Sequence, residues 1–311
     1  MNIHDLLLEM LHADASDLHL VAGKSPQLRI HGVLRAYDGE APVLEPETVL
    51  ELAEEFFGFD LGEGSEPLSY TNSVKRHGRR FRGTLLVNDV AASLIVHAVP
   101  AEIPRLELLD LPPQFTRILE LTDGLVVIAG PHGSGKTSTL LALAEEINRR
   151  HSLSICVLDD GEMPELAPGK SVVHMVSYHP LDGAAEAYRY AMIADANVVV
   201  GPIEHEHDLL GALRCAQTGC LVLATLHAAS VAEALERLSD LAMTLPQGEV
   251  LLAELLRVCV SQELRVKRRG GKRAMLEVLW NDRDVASIIF GDEGLEVIPA
   301  LLRREGNLAR E

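Results

Sequence analysis

Aromatic residues make up only 4% of this chain, and there is a single tryptophan. Its cores must therefore be built from Leu, Val, Ile and Ala. Cysteine is scarce as well. Cys156, Cys215, Cys220 and Cys259 form no CxxC pair, and three of them stand in apolar runs. They read as small buried side chains in a reducing compartment, and nothing suggests a disulfide framework. Basic charge is in deficit: 28 Lys and Arg face 46 Asp and Glu, a formal net charge of -18. A field of that sign repels phosphate backbones, so nucleic acid is not expected as a partner. The one dense basic run, Arg265-Val266-Lys267-Arg268-Arg269 with Lys272 and Arg273, reads as a solvated turn between two elements or as a binding patch. No stretch of about 18 apolar residues occurs, so no membrane-spanning helix is expected. The opening Met1-Asn2-Ile3-His4-Asp5 lacks the basic and apolar regions of a secretory leader.

The chain has 311 residues, 47% of them hydrophobic, which suits two domains better than one core. In the first hundred residues, helical spacing runs from Ile3 to Leu11 and from Glu47 to Phe57. Alternation marks short strands at Ser16 to Leu20 and Leu28 to Val33, with Gly23 and Gly32 in turns. Gly62 to Glu66 is an acidic, Gly-rich loop, and Arg79 to Val87 with Ala92 to Val99 reads as a strand pair. The expectation is a small α/β domain over 1–100. A linker follows at 101–113, where Pro104, Pro112 and Pro113 accumulate and no element of any length is expected. Residues 114–311 form the second domain. There, continuous apolar strands at Leu125 to Ala129, Ser154 to Leu158, Val172 to Val176, Asn197 to Val200 and Leu221 to Thr225 alternate with helices at Thr137 to Arg149 and Leu209 to Gln217. That alternation implies a parallel sheet covered on both faces. Val231 to Ala242, Gln247 to Val260 and Arg283 to Phe290 read as further helices.

Between the strand ending at Ala129 and the helix opening at Thr137 stands Gly130-Pro131-His132-Gly133-Ser134-Gly135-Lys136-Thr137, a GxxxxGK[ST] phosphate loop. The glycines let main-chain amides curl around phosphate oxygens, and the helix N-terminus adds its positive end. Lys136 is placed to reach the β and γ phosphates and the Thr137 hydroxyl to ligand Mg²⁺. Gly130, His132, Gly133, Ser134, Gly135, Lys136, Thr137 and Ser138 are the expected ATP contacts. His205-Glu206-His207 and the pair His174 and His179 lack the spacing of a closed zinc site and read as solvated loop.

Several collinear segments resemble the secretion ATPase superfamily, the hexameric motors of type II secretion and type IV pili, and within it the PilT-like pilus retraction ATPases. They are Ala15-Ser16-Asp17-Leu18-His19-Leu20, Arg29-Ile30-His31-Gly32, the strand Gly124 to Gly130 leading into the phosphate loop, Thr218-Gly219 followed by Ala224-Thr225-Leu226-His227, and Val260-Ser261-Gln262-Glu263-Leu264. The resemblance implies a PAS-like N-terminal domain and a RecA-like C-terminal domain. It implies ATP and Mg²⁺ as ligands, and a homo-hexamer or a mixed hexamer with a paralogous ATPase. Such a ring would sit in the cytoplasm against an inner-membrane platform protein of a pilus or secretion machine. His227 would be a sensor of the γ-phosphate, the alternative being a strand-end His bonded to backbone.

Departures from the family pattern fall on its catalytic positions. The family's Walker B strand runs Gly-Glu, and that Glu prepares the attacking water. Here the strand ends Val200-Gly201-Pro202, and the spacing from Gly201 to Gly219 places Pro202 on the Glu position. Asn197 replaces an expected Asp, leaving Asp195 nearby as a possible metal ligand. Two carboxylates could take over the water: Glu204, two residues on, and Asp159, which with Asp160 stands where the family carries Glu-Asp. Ile193 and His97 fall on positions of family arginines that reach nucleotide across a subunit boundary. Two functions stay open at this point: a working motor ATPase, and a catalytically impaired, nucleotide-binding partner of an active relative.

Overall fold

The computed structural model describes residues 2–30, 33–37, 42–59, 68–88, 91–179, 182–266, 272–291, 294–304 and 307–308. The expected turn at Gly32, the acidic loop Gly62 to Glu66 and the basic residues Lys267, Arg268 and Arg269 lie outside them. The chain divides into two compact units: Met1–Glu102 together with Gly161–Pro164, and Ile103–Asp160 together with Glu165–Glu311.

The first unit is a six-stranded antiparallel sheet with two helices. Helix α1 (Ile3–His12) starts at Asn2, whose side chain accepts from the Asp5 amide. Strands β1 (Ala15–Val21), β2 (Gln27–Ile30) and β3 (Val33–Ala36) follow. Helix α2 (Pro46–Phe57) has Pro in its first turn and ends on left-handed Gly58, the usual asymmetry of helix punctuation. Strands β4 (Leu68–Arg76), β5 (Arg79–Val87) and β6 (Ala92–Ala98) complete the sheet, in the order β3-β2-β1-β6-β5-β4. Alternate residues Leu18, Leu20, Phe81, Leu85, Leu94 and Val96 are buried with Leu6, Leu52 and Phe56 of the helices, as expected for a sheet covered on one face. On its other face Asp17 pairs across the ladder with His97 and Arg29. The segment Gly161–Pro164 packs here too: Ser73 Oγ donates to Gly161 O (2.7 Å) and Arg80 to Met163 O (3.1 Å). Strand β4 escaped the sequence reading because Leu68 to Arg76 is mostly polar.

The second unit contains α3 (Pro113–Thr116), β7 (Gly124–Ala129), α4 (Lys136–Arg150), β8 (Ser154–Asp159), β9 (Val172–Ser177), α5 (Ala185–Ile193), β10 (Val198–Pro202), α6 (Glu206–Gln217), β11 (Leu221–Leu226), α7 (Val231–Met243), α8 (Gly248–Leu255), β12 (Leu256–Val266), β13 (Lys272–Trp280), α9 (Arg283–Ile289) and α10 (Ile298–Leu301). Its sheet runs β13-β12-β7-β11-β10-β8-β9, parallel throughout except for β13. All six residues of β7 are buried. Leu125, Val127 and Ala129 join Tyr188, Leu213 and Leu235 of α5, α6 and α7 in one core, and α4 packs against β7, β10 and β11. This is the expected α/β architecture, with one correction. Gln247 to Val260 is not one helix: α8 stops at Leu255 and the chain continues as β12. Val258, Cys259 and Val260 are consecutive and all buried, which a strand covered on both faces achieves and an amphipathic helix does not. The 101–113 segment holds no α-helix or strand before α3 opens at Pro113. Leu106–Leu109 forms a 3₁₀ turn, Leu106 is buried, Glu107 pairs with Arg149 (3.0 Å), and Ile103 onward belongs to the second unit.

Candidate nucleotide site

In a parallel sheet, ligands gather where the strands end at their C-termini, and here that edge carries the loop from Gly130 to Gly135. Two features fix its path. Gly133 and Gly135 have φ of +73° and +83°, a region other residues enter only at a cost. A Cβ on Gly130 would lie 2.4 Å from both Gln262 O and Ser134 Oγ, so no side chain fits there. From the neighbouring strand β12, buried Gln262 ties the loop to its helix. Its Nε2 donates to Ser134 O (2.8 Å), and its Oε1 accepts from Thr139 Oγ1 (3.0 Å).

Lys136 opens α4 and is only 7% exposed. Its ammonium donates to Gly130 O (2.8 Å) and Pro131 O (2.9 Å), carbonyls of its own loop. Burial lowers its pKa, and the Glu204 charge partly restores it. The first turn of α4 has no side-chain cap, so its orphan amides face outward at the positive end of a 15-residue helix. Thr137 and Ser138 are exposed, and the buried hydroxyl of Ser134 has no partner. This donor set fits a polyphosphate: cation, uncapped amides and hydroxyls converge, with no carboxylate inside the loop. Thr137 offers a hydroxyl of the kind Mg²⁺ takes.

The other expected residues distribute unevenly. His227 directly follows β11, the strand paired with β7, and it is exposed. Its pKa is lowered by partial desolvation of the ring, one part of which faces the protein, and by the Lys136 charge, with Glu204 opposing and Arg237 and His132 contributing. His227, Lys136, Glu204 and His132 therefore share one neighbourhood. Glu204 is an exposed residue just past β10, two strands from β7. Asp159 ends β8, a third strand away, about 14 Å at ordinary strand spacing, and is 1% exposed. Asp159, Asp160, Glu204 and Asp208 all raise the pKa of the Tyr178 phenol, which burial has already pushed well up.

Asp195 is not brought to this edge. It precedes β10, and Val198 at that strand's start aligns through Leu221 with Gly124 at the start of β7. The loop leaves the opposite end of β7, so at least five residues of strand separate the two, roughly 17 Å. The assignment of Asp195 to magnesium is thereby corrected: nearness in sequence to β10 put it at the wrong end of the strand. His205, Glu206 and His207 are likewise not a loop: His205 caps α6 and the other two open it. His97 belongs to the first unit, where its Nδ1 lies 3.0 Å from Asp17 Oδ1.

Sequence reading missed two residues that shape the site. Asp208, 1% exposed, accepts from the amides of Ala184 (2.8 Å), Glu204 (3.1 Å) and His205 (3.1 Å), fixing the loop after β10. Its spacing three residues beyond the helix cap was a readable signal. Arg237, in α7, donates to His227 O (3.0 Å) and approaches Glu204 O (3.5 Å), and no local motif marks it.

The Type II/IV secretion system protein family matches residues 101–296. Over most of its length the chain is similar to an uncharacterized Escherichia coli K12 protein, YggR, at 30% identity covering 93% of this chain and 89% of that one. It is also similar to the type IV pilus retraction ATPase PilT of Pseudomonas aeruginosa, at 29% identity covering 97% of this chain and 89% of PilT. The crystal structure of the pilus retraction motor PilT with bound ADP superposes with a TM-score of 0.82 at 25% identity, covering 98% of this chain and 90% of PilT.

Proposed function

We propose that this chain, which belongs to the type II/IV secretion system protein family, is a PilT-like motor ATPase of a type IV pilus or a related secretion machine. The observation that carries the reading is the uncapped start of α4 meeting the buried Lys136 at the C-terminal edge of a parallel sheet. Lys136 would exchange its bonds to loop carbonyls for the β and γ phosphates of ATP, the amides from His132 through Ser138 would cradle those phosphates, and the Thr137 hydroxyl would hold Mg²⁺. Bound Mg-ATP supplies an anhydride whose terminal phosphoryl group can pass to water, and the protein's part is positioning and charge stabilisation. Glu204 orients the water, because it is exposed just past the end of β10, two strands from β7, on a loop that Asp208 fixes. Asp159 is buried and a strand further off. His227, held toward its neutral form, meets the γ-phosphate as a hydrogen-bonding sensor. The working unit is a homo-hexamer or a mixed hexamer with a paralogue, docked from the cytoplasm on an inner-membrane platform protein. A net charge of -18 argues against nucleic acid as the main partner.

The test is binding and turnover measured on one purified sample. Calorimetry should show Mg-ATP association that Lys136→Ala abolishes. Glu204→Gln should lower kcat by about a hundredfold, the scale of a misplaced catalytic group, while leaving Mg-ADP affinity unchanged. Absence of any heat of association sinks the reading. Binding without turnover sinks the hydrolytic half of it and leaves a nucleotide-binding partner of an active relative, the role that Pro202 at the Walker B position would suit.

A further inference from the structure

Arg237 lies on α7, outside every motif of the nucleotide loop, yet its guanidinium spans the ends of two neighbouring strands. Nη1 donates to the carbonyl of His227 at 3.0 Å, and Nη2 reaches the carbonyl of Glu204 at 3.5 Å, the long end of the hydrogen-bond range. Both carbonyls lie past the ladder. The pairing of β11 with β7 ends at Leu226 and Ala129, and β10 ends at Pro202. Glu204 is held from its other side as well, because Asp208 accepts from its amide. Its backbone is thus fixed by two side chains, one from α6 and one from α7, while its own carboxylate stays in the exposed part of the loop.

Glu204 and His227 both also interact electrostatically with Lys136. A planar fork with several fixed donors can bridge two acceptors at a set separation, which a Lys ammonium on a flexible stem cannot do in the same way. We propose that Arg237 is a positioning residue that joins Glu204 and His227 into one unit, so that nucleotide captured by Lys136 orders both together. The proposal rests on the nucleotide-binding reading of the loop. It adds that the two strand ends respond jointly and through Arg237.

Hydrogen exchange read by mass spectrometry on the full chain, with and without Mg-ADP and Mg-ATP, tests this alongside calorimetry. In the unaltered protein, nucleotide should slow exchange in 130–139 and also in 203–208 and 227–230. In Arg237→Ala, Mg-ADP affinity should stay within about threefold and protection of 130–139 should persist. The nucleotide-dependent protection of the other two segments should fall by about tenfold, the worth of a hydrogen bond to a charged group. Arg237→Lys should restore it only in part, and kcat should fall about tenfold with KM nearly constant. Should Arg237→Ala unfold, Arg237→Gln gives the same readings. The proposal is overturned if both segments stay as protected in Arg237→Ala as in the unaltered chain, if only one of them responds, or if affinity falls in parallel with protection. If the unaltered chain and Lys136→Ala alike show no nucleotide binding, the functional reading itself has failed and this inference with it. Binding with no change at Arg237 removes the inference alone.

Discussion

Replacing Asp208 with alanine removes one carboxylate that holds three amides. Oδ1 accepts from Ala184, and Oδ2 accepts from Glu204 and His205. Glu204 and His205 are exposed, so water replaces most of what their amides lose. Ala184 is fully buried, and its amide is left without a partner, at about 1–3 kcal/mol. The His205 bond is also the reciprocal contact at the start of α6, worth about 1 kcal/mol, and the weakened bond at the exposed Glu204 amide adds a further fraction. The sum is about 2–4 kcal/mol. For a unit of this size each kcal/mol lowers Tm by about 2–4 °C, so thermal unfolding followed by circular dichroism should move down by about 10 °C. Asp208→Asn should rescue little. An amide keeps one acceptor oxygen and turns an NH₂ toward whichever backbone amides it no longer serves. Exchange at 203–205 should accelerate in both variants. A Tm shift below about 2 °C in Asp208→Ala, or an Asn variant as stable as the parent, would refute the view that this one carboxylate organises the loop carrying Glu204.

Three further outcomes follow from the same geometry. Gly130→Ala puts a methyl 2.4 Å from Gln262 O and Ser134 Oγ, so the loop must shift; calorimetry should find Mg-ADP affinity reduced by about tenfold or more in a chain that still folds. In the first unit the His97 pKa is raised above 6.5, chiefly by its hydrogen bond to Asp17. The Asp17 pKa is lowered below 3.8, because the bonds from His97 and Ser16 outweigh the upward push of burial. The histidine's contribution is therefore complete below pH 6.5 and lost as pH rises through the raised value; the carboxylate's is present above pH 3.8 and lost as pH falls through the lowered one. Unfolding midpoints measured from about pH 3 to 9 should show His97→Ala losing the alkaline decline, and an identical decline in that variant would refute the pairing. The His227 ring, followed by NMR, should titrate below 6.5, and Lys136→Met should move its midpoint upward; a midpoint above 6.5 would place the ring away from Lys136.

Strand β7 and the loop after it were legible because three signals coincide within a dozen residues: a continuous apolar run, the glycine pattern, and helical spacing from Lys136 onward. The alternation of apolar strands with helices likewise gave the parallel sheet. The failures have physical causes. From Leu251 to Val260 the sequence is apolar at both periods, so burial on two faces, a tertiary fact, decides that Leu256 begins a strand. Strand β4 has only a thin apolar face, Tyr70 and Val74 interrupted by Asn72, and is recruited by its pairing with β5 from Leu68 to Arg76. Asp195 was assigned by proximity along the chain, but a strand runs between it and the site. Arg237 acts on backbone oxygens ten and thirty-three residues away, and contacts to carbonyls leave no mark on the identity of the residues contacted. Only Asp208 carried a local signature that could have been used.

Pro202 is the residue at which the site departs most from the pattern it resembles, and its tolerance has a local explanation. The amide of Ile203 donates to Thr225 O on β11, so the amide position of residue 202 faces the other way, toward β8. The ladder between β10 and β8 has already ended at Val200 and Val157, so proline forfeits no sheet bond there. The Pro202 carbonyl is taken by the buried Tyr188 hydroxyl at 3.0 Å. The strand is thus sealed where a carboxylate would otherwise emerge, and the next acidic side chain, Glu204, emerges from a loop held by Asp208 and Arg237. If the water-orienting task has moved by these two residues, Pro202→Glu in the otherwise unaltered chain should change ATP turnover by less than about threefold. Glu204→Gln should nearly abolish turnover, and the double variant should recover at least about a tenth of it, since a displacement on the order of 1 Å costs roughly a hundredfold and a full carboxylate at 202 removes most of that. A rise of tenfold or more from Pro202→Glu alone would mean that Glu204 does not occupy the role, and that the sealed strand end is what holds this chain's turnover down.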